Sequence, residues 1–213
     1  MSKFLKASAF PARLPLFMTV GILYLVGVVP AILYSWGRGI HLYDMGLTVS
    51  LYVGLHTWTA IVFFLCITAI CVLLSLLIWK TPLGWVRRVT YQLCFLCTFG
   101  CACFPCNHER SMLSSDIHDL FSYGLVILVA LSFLWLTVFA RGPVVRGFGV
   151  GCLLFAGVFI YAFAVGVRVF KDTILIWENL LIILLFLELF AEDMQAARSA
   201  RVGSVPKNQE ADS

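Results

Sequence analysis

The chain has 213 residues, of which 62% are apolar and 12% charged, with a formal net charge of +4 and a mean hydropathy of +0.98. Soluble domains run nearer 45–50% apolar and about 25% charged, so too few charged side chains remain to cover an ordinary water-facing globule. The same composition excludes a disordered chain and a small disulfide-rich secreted one, and points to a polytopic membrane protein.

A spanning helix needs about 20 mostly apolar residues. Six segments of the chain approach that test, near Leu14–Tyr34, Ser50–Trp79, Val89–Cys106, Leu120–Phe139, Gly147–Val167 and Thr173–Ala191. The first is preceded by Lys3, Lys6 and Arg13 in the manner of a signal peptide, but its apolar run exceeds the usual 7–15 residues, so it is expected to remain as a span. The second is long enough to tilt or to begin outside the hydrocarbon. Gln92, several cysteines and Pro105 interrupt the third. Short polar connections with turn signals, Trp36–Gly39, Thr81–Gly84 and Arg141–Pro143, separate the spans. The expected fold class is an all-α transmembrane bundle of six helices in a single domain over residues 1–195. Residues 196–213, rich in Ala, Ser and charge, read as a disordered tail.

Orientation follows from the loop charges. With both termini cytoplasmic, the outer side holds Arg38, Arg110, Arg168 and Lys171, which leaves eleven of the 15 basic residues inside. This N-in, C-in arrangement accounts for the positive charge and gives no reason to expect nucleic acid.

It also puts all four histidines on the outer side: His41 in the first outer loop, His56 just inside span two, and His108 and His118 flanking the second outer loop. Asp44, Glu109, Asp116, Asp119 and Asp172 share that side, and Glu178 lies about two turns into span six. An ionisable group within the bilayer costs at least ~2.5–3.5 kcal/mol on insertion scales, so it normally faces a partner or a wet cavity. His56 and Glu178 are therefore the first positions expected to carry a role, and together with His118 they are expected to centre an outer binding pocket, with Asp116 and His108 at its rim. The local alternative makes Asp116 and Asp119 the cap and first-turn carboxylates of span four, and His41 and His108 solvated loop residues.

No catalytic set, metal or cofactor is assigned. A metal hydrolase would want three ligands and an open position, yet no pair sits at i, i+4, and Asp116 and His118 point to different helix faces. A bis-imidazole haem would rest on His56 and His118 alone. Cys94, Cys97 and Cys101 follow helical spacing and read as packing. Gly147 and Gly151 form a close-packing face in span five, serving either the bundle or another membrane protein. A small transporter with Glu178 as proton carrier would be marked by internal repeats, which spans one to three against four to six do not show.

Two resemblances add to this. Cys103-Phe-Pro-Cys106-Asn-His-Glu-Arg110 is similar to the redox run of DsbB-type disulfide-generating enzymes, which implies a thiol oxidoreductase; that family needs a second extracytoplasmic cysteine pair, and the only later cysteine here is Cys152. Phe104-Pro105, followed by Asp116-Ile-His118-Asp119-Leu-Phe-Ser-Tyr123 and by Ile176-Trp177-Glu178-Asn179, resembles the six-span superfamily of damage-regulated autophagy modulators and post-GPI-attachment remodelling factors. In that group a histidine opens the fourth span and an acidic residue lies in the sixth, positions matched by His118 and Glu178. The short first outer loop, Trp36–Gly46, departs from members in which this region is larger. The resemblance implies a membrane protein that handles or senses lipid, or recruits a partner.

Overall fold

A computed structural model describes residues 14–40, 48–106, 111–140 and 142–202, with the backbone alone for 171–172 and 196–202. Among these residues the chain is helical throughout, with no strand. In order the helices are α1 (Leu14–Trp36), α2 (Val49–Gly54), α3 (Thr57–Lys80), α4 (Trp85–Cys103), α5 (Met112–Phe139), α6 (Pro143–Val165), α7 (Arg168–Asp172) and α8 (Ile174–Val202).

Five of them, α1, α3, α5, α6 and the Ile174–Gln195 part of α8, are long and apolar enough to cross a membrane, which makes the chain a multi-pass membrane protein. The sixth long helix, α4, reaches 19 residues but carries Arg87, Arg88, Thr90 and Gln92 in its first half. Exposed tryptophans sit at both ends of the bundle, Trp36 and Trp58 at one and Trp79 and Trp85 at the other. Along α3, Trp58 and Trp79 are about 31 Å apart at 1.5 Å per residue, close to the thickness of a hydrocarbon core.

Neighbouring long helices run antiparallel. At the proximal end, where α1 begins, Arg87 pairs with Glu192 at 2.6 Å and the Thr81 hydroxyl lies 3.3 Å from Asp193. At the distal end the start of α2, the end of α4 and the first turns of α5 and α8 come together. The core is continuous through the bundle, with Val20 and Val28 of α1, Leu74 of α3, Tyr91 of α4 and Phe133 of α5 all buried.

The structure changes three boundaries expected from sequence. The second span is two helices. Gly54 ends α2 where an added Cβ would meet the Cys106 carbonyl at 2.9 Å, His56 is extended, and the Thr59 hydroxyl lies 2.7 Å from both the Val53 and His56 carbonyls, satisfying the interrupted backbone. Mean hydropathy over the segment does not reveal this, because it is blind to backbone direction. Span four starts earlier than expected: Ser111, not Asp116, caps α5, its Oγ accepting from the Ser114 N–H at 3.2 Å. Helix α8 continues to Val202, past the 195/196 boundary, through Ala- and Arg-rich sequence of high helix propensity. Residues 203–213 lie outside the described residues.

Helix α6 ends at Gly166, whose left-handed φ of 74° lets the Val167 N–H turn back to the Ala162 carbonyl. Of the two roles open to the Gly147 and Gly151 face, packing within the bundle is not the one seen. Gly147 and Gly151 face open space, whereas an added Cβ on Gly149 would sit 2.9 Å from the Thr137 backbone nitrogen of α5. The small residue is needed at the point where the two backbones touch.

Candidate functional site

Helix α8 is held against the bundle by polar contacts near both ends, with a cavity between them. At the distal end the Glu178 carboxyl accepts the Val49 N–H of α2 at 2.9 Å, and Asn179 accepts the Tyr24 hydroxyl of α1 at 2.7 Å. Toward the proximal end Glu188 lies between Tyr91 of α4 and Ser132 of α5, at 2.8 and 2.7 Å. Between these ties, helices α1 to α6 and α8 enclose a cavity of about 150 Å³.

The cavity is amphipathic along its length. Its polar groups, Ser50, Thr98, His118, Ser122 and Glu178, come from the distal parts of α2, α4, α5 and α8. Deeper in, Ile70, Leu74, Val129, Leu185 and Phe186 line it with carbon. From Glu178 to Phe186 the apolar wall runs about 12 Å along α8, at 1.5 Å per residue.

Helix α5 positions His118 by burying it against the frayed end of α4. Its Nδ1 is 2.7 Å from the Phe104 carbonyl and 3.1 Å from that of Cys101, carbonyls released where α4 stops before Pro105. The contact settles the tautomer: a carbonyl only accepts, so Nδ1 carries the proton and Nε2 presents a lone pair in the neutral ring. Gly100 allows the approach, since an added Cβ there would lie 2.5 Å from the Phe121 ring.

The residues singled out from sequence therefore separate. His118 and Glu178 line the same cavity, with no direct hydrogen bond or ion pair between them among the described contacts. His56, expected beside them, does not line it. Its ring meets Tyr34 edge-on, with centroids 4.6 Å apart, in an aromatic group that includes Trp58. The α2–α3 break turns His56 toward α1 rather than inward. Asp116 is exposed in the second turn of α5 and is not part of the cavity wall. His108, like His41, Asp44 and Glu109, lies outside the described residues, as does the side chain of Asp172.

Sequence reasoning overlooked Glu188, which is fully buried. A signal for it exists: Glu178, Leu181, Leu185, Glu188 and Glu192 follow alternating three- and four-residue steps, the spacing of a single seam on a helix. Following that seam inward from Glu178 leads to the second carboxyl.

Four of the cysteines, Cys66, Cys71, Cys94 and Cys152, are buried, and Cys103 is exposed. Among the described residues, which include all eight, no disulfide forms, and Cys94 and Cys152 are buried in the core. Cys101 reaches the cavity wall, its Sγ 3.4 Å from the Ser122 hydroxyl. Among the described residues no three His, Cys, Asp or Glu side chains converge in a way that could hold a metal ion. Comparison of the chain with protein-family models, with curated proteins and with solved structures finds no match.

Proposed function

We propose that this chain is a six-span, N-in and C-in membrane protein that holds the head and first few carbons of a lipid in its central cavity, head toward His118 and Glu178 and alkyl chain toward Leu74 and Leu185. The single observation that carries the reading is the cavity itself: His118 and Glu178 share its distal end with Ser50, Thr98 and Ser122, while its deeper wall is hydrocarbon. The reading agrees with the lipid-handling superfamily that the His118 and Glu178 motifs resemble, and we propose kinship with that group. Access from the bilayer is supplied by a groove between α1 and α8, lined by Leu25, Val29, Ile176 and Ile183; Tyr24 borders both this groove and the cavity.

Two features support counting α4 as the sixth span. It packs between α3 and α5, burying Tyr91, Cys94 and Phe95. Three of its polar side chains have partners within the bundle, Gln92 in Ser75 at 2.9 Å, Thr90 in the Val86 carbonyl at 3.0 Å and Arg87 in Glu192. Six spans return the chain to its starting side, and Lys80, Arg87, Arg88 and Arg146 all lie at the proximal end, as positive-inside loops require. A glycosylation acceptor inserted between Cys106 and Ser111 should be modified, and one inserted at Gly142 should not. The opposite pattern refutes the orientation.

Binding is tested with a photoactivatable single-chain lipid in nanodiscs. Crosslinks should map to α5 and α8 residues of the cavity, and Leu125→Trp, which fills the cavity from α5, should reduce them about tenfold. Labelling that is indifferent to filling, or confined to outward faces such as that of Gly151, overturns the reading.

A further inference from the structure

We infer that the cavity selects an amphiphile whose head donates hydrogen bonds, a long-chain amine or alcohol, and discriminates against an anionic head. This rests on the cavity being a lipid site, as proposed above, and adds the chemistry of its ligand.

The inference comes from where the protons of the cavity wall point. Asn179 donates its amide N–H to the Leu175 carbonyl at 2.7 Å, which orients its Oδ1 toward Tyr24, so the tyrosine hydroxyl must be the donor in that pair. Thr98 spends its proton on the Cys94 carbonyl at 2.9 Å. His118 spends its Nδ1 proton on the carbonyls at the end of α4. Glu178 receives the Val49 N–H on one oxygen, and among the described contacts its other oxygen has no protein partner. At four of the lining residues, then, lone pairs stay uncommitted: on the Tyr24 and Thr98 hydroxyl oxygens, His118 Nε2 and the Glu178 carboxyl.

Ser50 and Ser122 are the hydroxyls whose proton direction stays adjustable, since each is paired with a group that can donate or accept. Among the described residues lining the cavity there is no Lys or Arg. A carboxylate or phosphate head would meet a carboxyl and three further lone pairs with at most two hydroxyls to receive it. A buried acceptor left without a donor costs its full desolvation, and more when charged. An ammonium or hydroxyl head supplies what the wall lacks, and an ammonium also meets the Glu178 carboxyl.

The experiment uses the full chain in phosphatidylcholine nanodiscs at neutral pH, with a photoactivatable long-chain alcohol as the bound probe. Competitors of identical alkyl length carry a primary amine, a hydroxyl, a carboxylate or a phosphate. Competition is referenced to Leu125→Trp protein to subtract partition into the bilayer. The amine should compete about tenfold more strongly than the carboxylate or phosphate, a difference of about 1.4 kcal/mol, with the alcohol between them.

Two variants assign the preference. Glu178→Gln keeps an oxygen for the Val49 N–H and so preserves the α2 contact, but should bring the amine down to the level of the alcohol. His118→Asn keeps an N–H for the Phe104 carbonyl while removing the Nε2 acceptor, and should weaken amine and alcohol alike. A carboxylate or phosphate head that competes as well as the amine overturns the inference while leaving lipid binding intact. Failure of every head group to compete overturns the lipid site and the inference with it.

Discussion

Glu188→Ala is expected to lower the stability of the protein by about 2–4 kcal/mol, through the orphaned Tyr91 hydroxyl and the void left by the side chain. Glu188 is fully buried, its two oxygens 2.8 Å from the Tyr91 hydroxyl and 2.7 Å from Ser132 Oγ. It thereby ties α8 to α4 and α5 at a depth where water is not at hand to take over. Alanine leaves Tyr91 and Ser132 facing each other across empty space. Glutamine is different. It retains a carbonyl oxygen for Tyr91 and turns an amide N–H toward the Ser132 oxygen, whose own proton can go to the Val129 carbonyl 2.8 Å away. Glu188→Gln should therefore stay within about 1 kcal/mol of the parent protein. Thermal unfolding in one detergent, followed by size-exclusion fluorescence, separates the two variants. Equal midpoints for alanine and glutamine would show that the carboxyl is not the tie between these helices.

The second large effect concerns the face on which α6 meets α5. Gly149→Leu is expected to cost about 1–3 kcal/mol or more, while Gly151→Leu stays within about 0.5 kcal/mol. The difference is geometric. A side chain at 149 would begin 2.9 Å from the Thr137 backbone nitrogen and 3.2 Å from its Cα, and a backbone cannot rotate away as a side-chain tip can. Relief requires separating the two helices and losing the contact of buried Cys152 and Ala156 with the core. At 147 and 151 nothing lies within 4 Å of an added Cβ. The same unfolding assay decides between them. Damage at Gly151 with tolerance at Gly149 would mean that α6 is rotated by about half a turn from its position here.

These two sites also show where sequence reading reaches its limit. Spacing singled out Gly147 and Gly151 as a small-residue face, yet the residue that meets a neighbour is Gly149, which the same spacing passes over. Rotation of a helix about its axis is set by its neighbours, and within lipid an apolar residue carries little mark of whether it faces a helix or an acyl chain. Polar residues carry more. Glu178 stood out in an apolar run because the bilayer makes such a residue costly, and the same logic extended along the seam would have reached Glu188. For histidines the mark was ambiguous. His56, read as lying inside span two, is turned toward Tyr34 by the helix break after Gly54, whereas His118, read as flanking the outer loop, is the one buried against the end of α4.

By itself, then, the amino-acid sequence determined the solvent, the helical class and the approximate position of each long apolar helix. Those follow from sums over neighbouring residues, and burial in hydrocarbon is close to additive along a chain. Only the tertiary structure decided which side chains share a cavity, where α2 parts from α3 and which glycine two helices need. Such properties depend on the rotation and contact of helices far apart in sequence, where a few ångströms separate a hydrogen-bonded wall from a face turned to lipid.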